Sequence, residues 1–276
     1  MTIIDFHVHL FEKEITEVNG IPTKTSKEQI RLGMEEAGID LSVLLVMAPK
    51  NDIAKTKGRN DWLATICRGE RKFEGFGSVH PEDGKDAINE MKRCVNDLGL
   101  KGFKLHPNTQ QFDCGEPGLI EVMKQAAELD VPIIIDTYSP FDDNQPSKLL
   151  KAVFTSPETK VCFAHVGMWR YMDFGIYGSI RQRMAFDENV YFDLSASCVM
   201  FYQTPFQEQF RWITEQLGGD RLIFGSDFPL YLPKQDDEYP PCTPKYSLDV
   251  VRNFGYPKAW VPNIIGGNAA KLLKLQ

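Results

Sequence analysis

The sequence predicts a closed (β/α)8 barrel, a TIM barrel, filling residues 1–276 as one domain, and three observations carry that expectation. Eight short apolar runs alternate strictly with stretches of helical periodicity, the pattern of parallel βα units. The length of 276 residues suits one such barrel, with no linker rich enough to split it and no repeat beyond the βα unit. All five histidines fall at the C-terminal ends of predicted strands, the ends that converge on one face of a barrel. A doubly wound open sheet is the runner-up, but no G-x-G-x-x-G follows the first strand, and a closed barrel leaves no sheet edge.

The elements follow in order. In strand one, Thr2–His9, alternation places Ile4, Phe6 and Val8 on one face, to pack under helices, and Asp5, His7 and His9 on the other. Residues 11–25 are polar, with Gly20 and Pro22, and read as a long loop that starts beside the strand tip and is a candidate lid. Ser26 caps a helix over 26–37 that Gly38 stops. Strand two is Leu41–Met47, followed by a helix over 60–71. Strand three, Phe73–Val79, and strand four, Gly102–Leu105, end at His80-Pro81 and His106-Pro107, where the proline forces an extended histidine. Helices over 84–98 and 117–129 come after them. Strand five, Val131–Ile135, ends at Asp136 and precedes a helix over 146–154. Strand six, Val161–Ala164, runs into His165-Val166-Gly167 and a helix over 178–187. Strand seven, Val190–Leu194, ends at Ser195; the next helix, 205–217, stops at Gly218-Gly219. Strand eight, Arg221–Phe224, leads into Gly225-Ser226-Asp227, and a Pro-rich loop, 229–244, precedes helices over 247–254 and 268–275.

Composition excludes several functions. A net charge of −7, from 31 basic and 38 acidic residues, argues against nucleic-acid binding. No apolar run approaches the roughly 18 residues of a membrane span. Cys67, Cys94, Cys114, Cys162, Cys198 and Cys242 form no CxxC pair and read as free thiols of a reducing, cytoplasmic compartment. No secretory leader is expected ahead of His7. The expected partner is a small molecule, with a homodimer left open.

The rim carries the chemistry. His7 and His9, spaced by two, can both reach one divalent metal at about 2.0–2.1 Å. Asp227 stands at the same level on strand eight, placed to hold that ion or to take a proton from water beside it. His165 ends strand six on the same rim and is a candidate catalytic group. Lys104 and His106 share a strand face and can bind an anionic substrate, and Arg170 is a further carboxylate clamp. His80 reads as a packing histidine. A non-catalytic ligand-binding barrel is the alternative of another class; it leaves the polar rim without a task.

At these residues the chain resembles the amidohydrolase superfamily, in particular the amidohydrolase-related branch that includes aminocarboxymuconate-semialdehyde decarboxylase. The matching pieces are Asp5-Phe6-His7-Val8-His9, Gly102-Phe103-Lys104-Leu105-His106-Pro107, Ala164-His165-Val166-Gly167, Tyr191-Phe192-Asp193-Leu194-Ser195, Gly225-Ser226-Asp227-Phe228-Pro229 and Gly267-Asn268-Ala269-Ala270. Their order and spacing, from residue 5 to residue 270, are together specific. The resemblance implies a divalent metal, usually zinc, on His7, His9 and Asp227, with His165 polarising substrate or relaying a proton. One departure stands out. The family's fifth-strand metal-binding histidine is here Asp136, after Pro132-Ile133-Ile134-Ile135. As an oxygen ligand Asp136 makes the set two imidazoles and two carboxylates, which suits zinc and tilts toward harder ions such as manganese. The first expectation is hydrolysis of an amide, lactone or ester of a small polar or carboxylated substrate. The second is non-oxidative decarboxylation or hydration by the same groups.

Overall fold

The structure is a computed structural model that describes residues 2–12, 15–18, 21–138, 142–184, 189–229 and 243–275. Chain order begins with β1 (Ile4–His9), the hairpin strands β2 (Ile15–Val18) and β3 (Ile21–Lys24), and α1 (Lys27–Ala37). Barrel strands and helices then alternate: β4 (Leu41–Leu45), α2 (Ile53–Cys67), β5 (Phe73–Gly77), α3 (Lys85–Asn96) and β6 (Gly102–Leu105). They continue with α4 (Pro107–Gln110), α5 (Pro117–Glu128), β7 (Ile133–Ile135), α6 (Gln145–Thr155), β8 (Val161–Phe163) and α7 (Tyr171–Met184). The last are β9 (Val190–Asp193), α8 (Ser197–Phe201), α9 (Gln207–Leu217), β10 (Leu222–Ile223), α10 (Pro244–Asn253) and α11 (Asn268–Leu273).

β1 and β4 to β10 form one eight-stranded parallel sheet in chain order. Backbone bonds join its ends: Phe6 N–H to Phe224 O at 3.1 Å, Asp227 N–H to His7 O at 2.8 Å and His9 N–H to Phe228 O at 2.8 Å. The sheet therefore closes into the expected (β/α)8 barrel. Two apolar clusters follow from strand alternation. One fills the barrel, with Val43, Leu45, Phe76, Ile134, Cys162, Tyr191 and Ile223 plugged from below by Leu272 and Leu273 of α11. The other lies between strands and helices, with Leu44, Phe103, Leu105, Ile133, Ile135 and Phe192 against Met34, Leu63, Met91, Val122 and Phe210.

β1 corrects the sequence reading. Four residues of β1, Asp5 to Val8, lie against three of β4, Ser42 to Leu44, so the strand carries an extra residue. Ile4 and Phe6 therefore belong to the interior cluster and Val8 to the outer one. Asp5 does not share the face of the histidines. Its Oδ1 accepts the N–H groups of Ser226 at 2.8 Å and His7 at 3.3 Å, which pins the bulge from behind.

Ser26 and Gln29 form a full capping box on α1, and Gly38 ends it in the left-handed region, φ 68°. Helix α2 starts at Asp52, earlier than expected, because the Asp52 side chain caps Lys55 N–H. Helix α7 likewise starts ahead of the expected span. Residues 11–25 hold an antiparallel hairpin rather than a plain loop, consistent with the β-branched Ile15, Thr16, Val18, Ile21 and Thr23. The Pro-rich segment 230–242, with Cys242, lies outside the described residues. None of the other five cysteines is paired, and no described helix is long and apolar enough to cross a membrane.

Candidate active site

Strand parity brings the rim residues together. Lys104 lies between the outward Phe103 and Leu105, and Asp136 follows the inward Ile134 by two, so both point into the mouth. His7 and His9 reach it because the bulge turns His7 inward after Phe6. Gly225 is required beside them: a Cβ there would stand 2.6 Å from His7 Cβ. Asp227 takes a left-handed conformation, φ 58°, and its N–H donates to His7 O at 2.8 Å.

Three donor atoms converge. His7 Nε2 and His9 Nε2 are 3.2 Å apart, His9 Nε2 and Asp227 Oδ1 3.1 Å, and His7 Nε2 and Asp227 Oδ1 3.4 Å. Ligands about 2.0–2.1 Å from one tetrahedral ion lie about 3.3 Å apart, so this donor set fits a single divalent metal. Asp193 orients it from behind, because His7 Nδ1–H donates to Asp193 Oδ2 at 2.9 Å and leaves the Nε2 lone pair facing the site. Burial and the Lys104 ammonium push His7 down to about 4, so its imidazole is neutral, as a ligand must be.

A second group sits across the mouth. Lys104 Nζ donates to Asp136 Oδ2 at 2.9 Å and lies 3.2 Å from His7 Nε2. Asp136 Oδ2 is 3.1 Å from His165 Nε2, and its Oδ1 accepts the Tyr138 N–H at 2.8 Å. Burial opposes ionisation of Asp136, but His106, Lys104 and His165 hold it well below the usual carboxylate range. Among the described residues, the donor groups close enough for one ion are His7, His9 and Asp227, and His7, His165 and Asp193; neither includes Asp136.

His165 faces acceptors at both nitrogens. Its Nδ1 lies 2.9 Å from Ser195 Oγ and 3.0 Å from Ser195 O, and the Ser195 hydroxyl spends its own proton on Asp193 Oδ1. Burial alone would lower His165, but Asp136, Asp227 and Asp193 outweigh it and raise it to about 9. It is an imidazolium at neutral pH. Burial works against ionisation of Asp227 too, yet His165, His7 and His9 hold its carboxyl below the ordinary value.

The turn presenting His165 is left-handed over four residues: His165 (φ 61°), Val166 (φ 48°), Gly167 (φ 83°) and Met168 (φ 50°). Three of these are not glycine, and each costs about 1–2 kcal/mol there. One buried hydroxyl ties the turn: Thr137 Oγ1 donates to Ala164 O and accepts Gly167 N–H at 3.0 Å. Asp193 Oδ1 takes His165 N–H at 3.1 Å, and Ser197 Oγ donates to His165 O.

The remaining candidates separate. Burial pushes His106 down to about 4, so it is neutral; its Nδ1 accepts Thr109 N–H at 3.3 Å, and its Nε2 lies 3.7 Å from Asp136 Oδ2. His80 packs away from the site, with Nε2 2.7 Å from Gln110 O. Arg170 lies on Asp143 and Asp173, at 3.1 and 2.9 Å, rather than on the rim cluster. Three residues escaped the sequence reading as site groups. Asp193 lies in the matching Tyr191–Ser195 piece without a role assigned to it, and Thr137 carries no motif of its own. Gln110 takes His106 N–H at 2.7 Å and donates to Ala48 O and Val79 O, and its H-P-x-x-Q spacing was the available signal.

Comparison with known proteins agrees with the barrel fold and gives the family. A family model described as amidohydrolase matches residues 4–275. A 2-amino-3-carboxymuconate-6-semialdehyde decarboxylase from Dictyostelium discoideum is 20% identical over 261 residues, 82% of this chain and 68% of that protein. Among solved structures, a 2,6-dihydroxybenzoate decarboxylase complexed with 2,6-dihydroxybenzoate superposes with TM-score 0.74 at 17% identity, covering 99% of both chains. A dihydroxybenzoic acid decarboxylase from Polaromonas sp. JS666, with bound manganese and 2-nitroresorcinol, gives TM-score 0.71 at 18% identity, covering 99% of this chain and 97% of that one. With its matched span running from the first strand to the last helix, the chain belongs to the amidohydrolase family and is an enzyme of that family.

Proposed function

We propose that the protein is a metal-dependent, non-oxidative decarboxylase of a small carboxylated substrate. The observation that carries this reading is His165, whose ring nitrogens lie 3.1 Å from Asp136 Oδ2 and 2.9 Å from Ser195 Oγ, beside the three converging donor atoms. Hydrolysis needs a group free to take a proton from water. Here His165 already holds its proton and Asp227 is a weakened base, so neither suits that task at neutral pH. Decarboxylation needs the reverse, a proton given to the carbon that loses CO2. The decarboxylases among the similar proteins support the same choice.

His7, His9 and Asp227 would hold the ion, zinc or manganese. When bound, it supplies Lewis acidity that draws electrons from a substrate oxygen. Lys104 carries the fixed positive charge that receives the substrate carboxylate, and His106, neutral, offers its Nε2–H beside it. The C–C bond to the carboxylate breaks, CO2 leaves, and the electron pair stays on the ring or chain carbon. His165 Nε2 delivers the proton to that carbon, while Asp136 keeps the ring in line. Asp193 and Ser195 hold the Nδ1 edge, so the imidazole returns to the same place for reprotonation. The unpaired thiols are consistent with a reducing, cytoplasmic setting.

The test is CO2 release by manganese- or zinc-loaded protein from a panel of carboxylated aromatics, 2,6-dihydroxybenzoate first, beside lactones and cyclic amides. Turnover should require protonated His165, whose carboxylate neighbours raise it, so the rate falls as pH rises on the alkaline side of neutrality. His165→Asn should lower kcat by roughly 10²-fold or more. Hydrolysis of a lactone or amide with no CO2 from any acid would overturn the reading in favour of metal-dependent hydrolysis.

A further inference from the structure

Lys104 is fully buried, and its Nζ touches two groups of opposite kind. One is the Asp136 carboxylate at 2.9 Å; the other is His7 Nε2 at 3.2 Å. The second contact is informative because the Asp193 carboxylate, which can only accept, assigns the His7 proton to Nδ1. With its Nδ1 proton given to Asp193, the only thing His7 offers Lys104 is the Nε2 lone pair. That same lone pair faces His9 and Asp227 at 3.2 and 3.4 Å. An ammonium N–H on it occupies the electron pair a metal ion would use, and the two cations repel. Asp136 has no such freedom. Its Oδ2 takes Lys104 and His165 and its Oδ1 takes Tyr138 N–H, so both oxygens are engaged away from the converging atoms.

We propose that Lys104 is a resident cation competing with the divalent ion for His7 Nε2, and that Asp136 governs metal affinity by anchoring Lys104 rather than by ligating the ion. The inference rests on the reading of His7, His9 and Asp227 as the ligands. Metal binding breaks the contact between Lys104 and His7 and keeps the one between Lys104 and Asp136. That leaves the ammonium beside the ion, where a substrate carboxylate meets both charges. Asp136 is then a positioning residue, acting on the metal through Lys104.

Equilibrium dialysis with Mn2+ separates the roles. Lys104→Gln, which keeps a donor for Asp136, should tighten Mn2+ binding by at least about tenfold. Lys104→Met should change it in the same direction. Unchanged or weaker binding by either folded variant overturns the competition. Asp136→Asn should weaken Mn2+ binding in the otherwise unaltered protein and lose most of that effect beside Lys104→Gln. An equal loss in both backgrounds makes Asp136 a ligand and overturns its assigned role. Should the lysine variants fail to fold, a crystal structure of the unaltered protein with Zn2+ decides: Lys104 Nζ should have left His7 and kept Asp136, and Asp136 oxygen on the zinc overturns the proposal. Full metal retention by His7→Ala would instead sink the ligand reading itself, independently of what the lysine variants do.

Discussion

Two sectors of the same barrel rim solve opposite electrostatic problems. At the tips of β1 and β10, His7, His9 and Asp227 bring three ligand atoms together, with Lys104 Nζ intruding on one of them. At the tips of β6, β7 and β8, Lys104, Asp136 and His165 make a closed set, one carboxylate between two cations. The first sector offers its donor atoms to an incoming cation; the second is complete as folded. Burial magnifies both conditions, since unpaired charge in a dry mouth is costly and paired charge is tolerated. A substrate carboxylate placed between them meets one supplied cation and one built in.

The largest expected effect breaks the first sector. His7→Ala should release most bound metal, measured by elemental analysis of the purified protein, while the circular dichroism spectrum keeps its shape. Retained metal would mean that the converging atoms do not form the ligand set. A smaller effect sharpens the second sector through Thr137, whose hydroxyl bridges Ala164 O and Gly167 N–H. Thr137→Val leaves both backbone groups buried without that partner and should cost about 1–3 kcal/mol of stability. Turnover should fall about tenfold as the His165 ring loses its fixed place, and Thr137→Ser should restore it. A lower melting midpoint with unaltered kcat would reduce Thr137 to a purely structural tie. The smallest effect belongs to Arg170, which sits on Asp143 and Asp173. Arg170→Ala should shift KM less than about threefold, because exposed ion pairs contribute little. A rise above tenfold would return Arg170 to the substrate clamp.

The sequence made the barrel legible because its βα alternation is a local signal, and every histidine stood where a strand stopped. His7, His9, Lys104, Asp136, His165 and Asp227 were found as one group on that basis, and the structure brings them into one mouth. What stayed hidden lives in pairing rather than pattern. Phe6 reads as outward by strict alternation, and only the register against β4 shows the extra residue that turns it inward. Asp193 looks like an acid closing an ordinary strand until His7 and His165 arrive from elsewhere in the chain. The left-handed run at His165-Val166-Gly167-Met168 has one glycine, too few to announce four such residues in a row. The hairpin at 15–24 was masked by Gly20 and Pro22, which punctuate a turn as readily as a loop.

The bulge in β1 also has a meaning for anyone moving this chemistry to another scaffold. A regular strand shows a barrel interior every second residue, so a His-x-His pair facing inward on it excludes an inward-facing residue immediately before. Here the change of phase between Asp5 and Val8 lets a single strand serve as oily stopper up to Phe6 and as ligand arm from His7 onward. Copying His7 and His9 onto an ideal strand would therefore carry the imidazoles across but leave a void where the Phe6 ring seals the floor beneath them, against Phe76. The portable unit is the whole segment from Asp5 to His9, kink included.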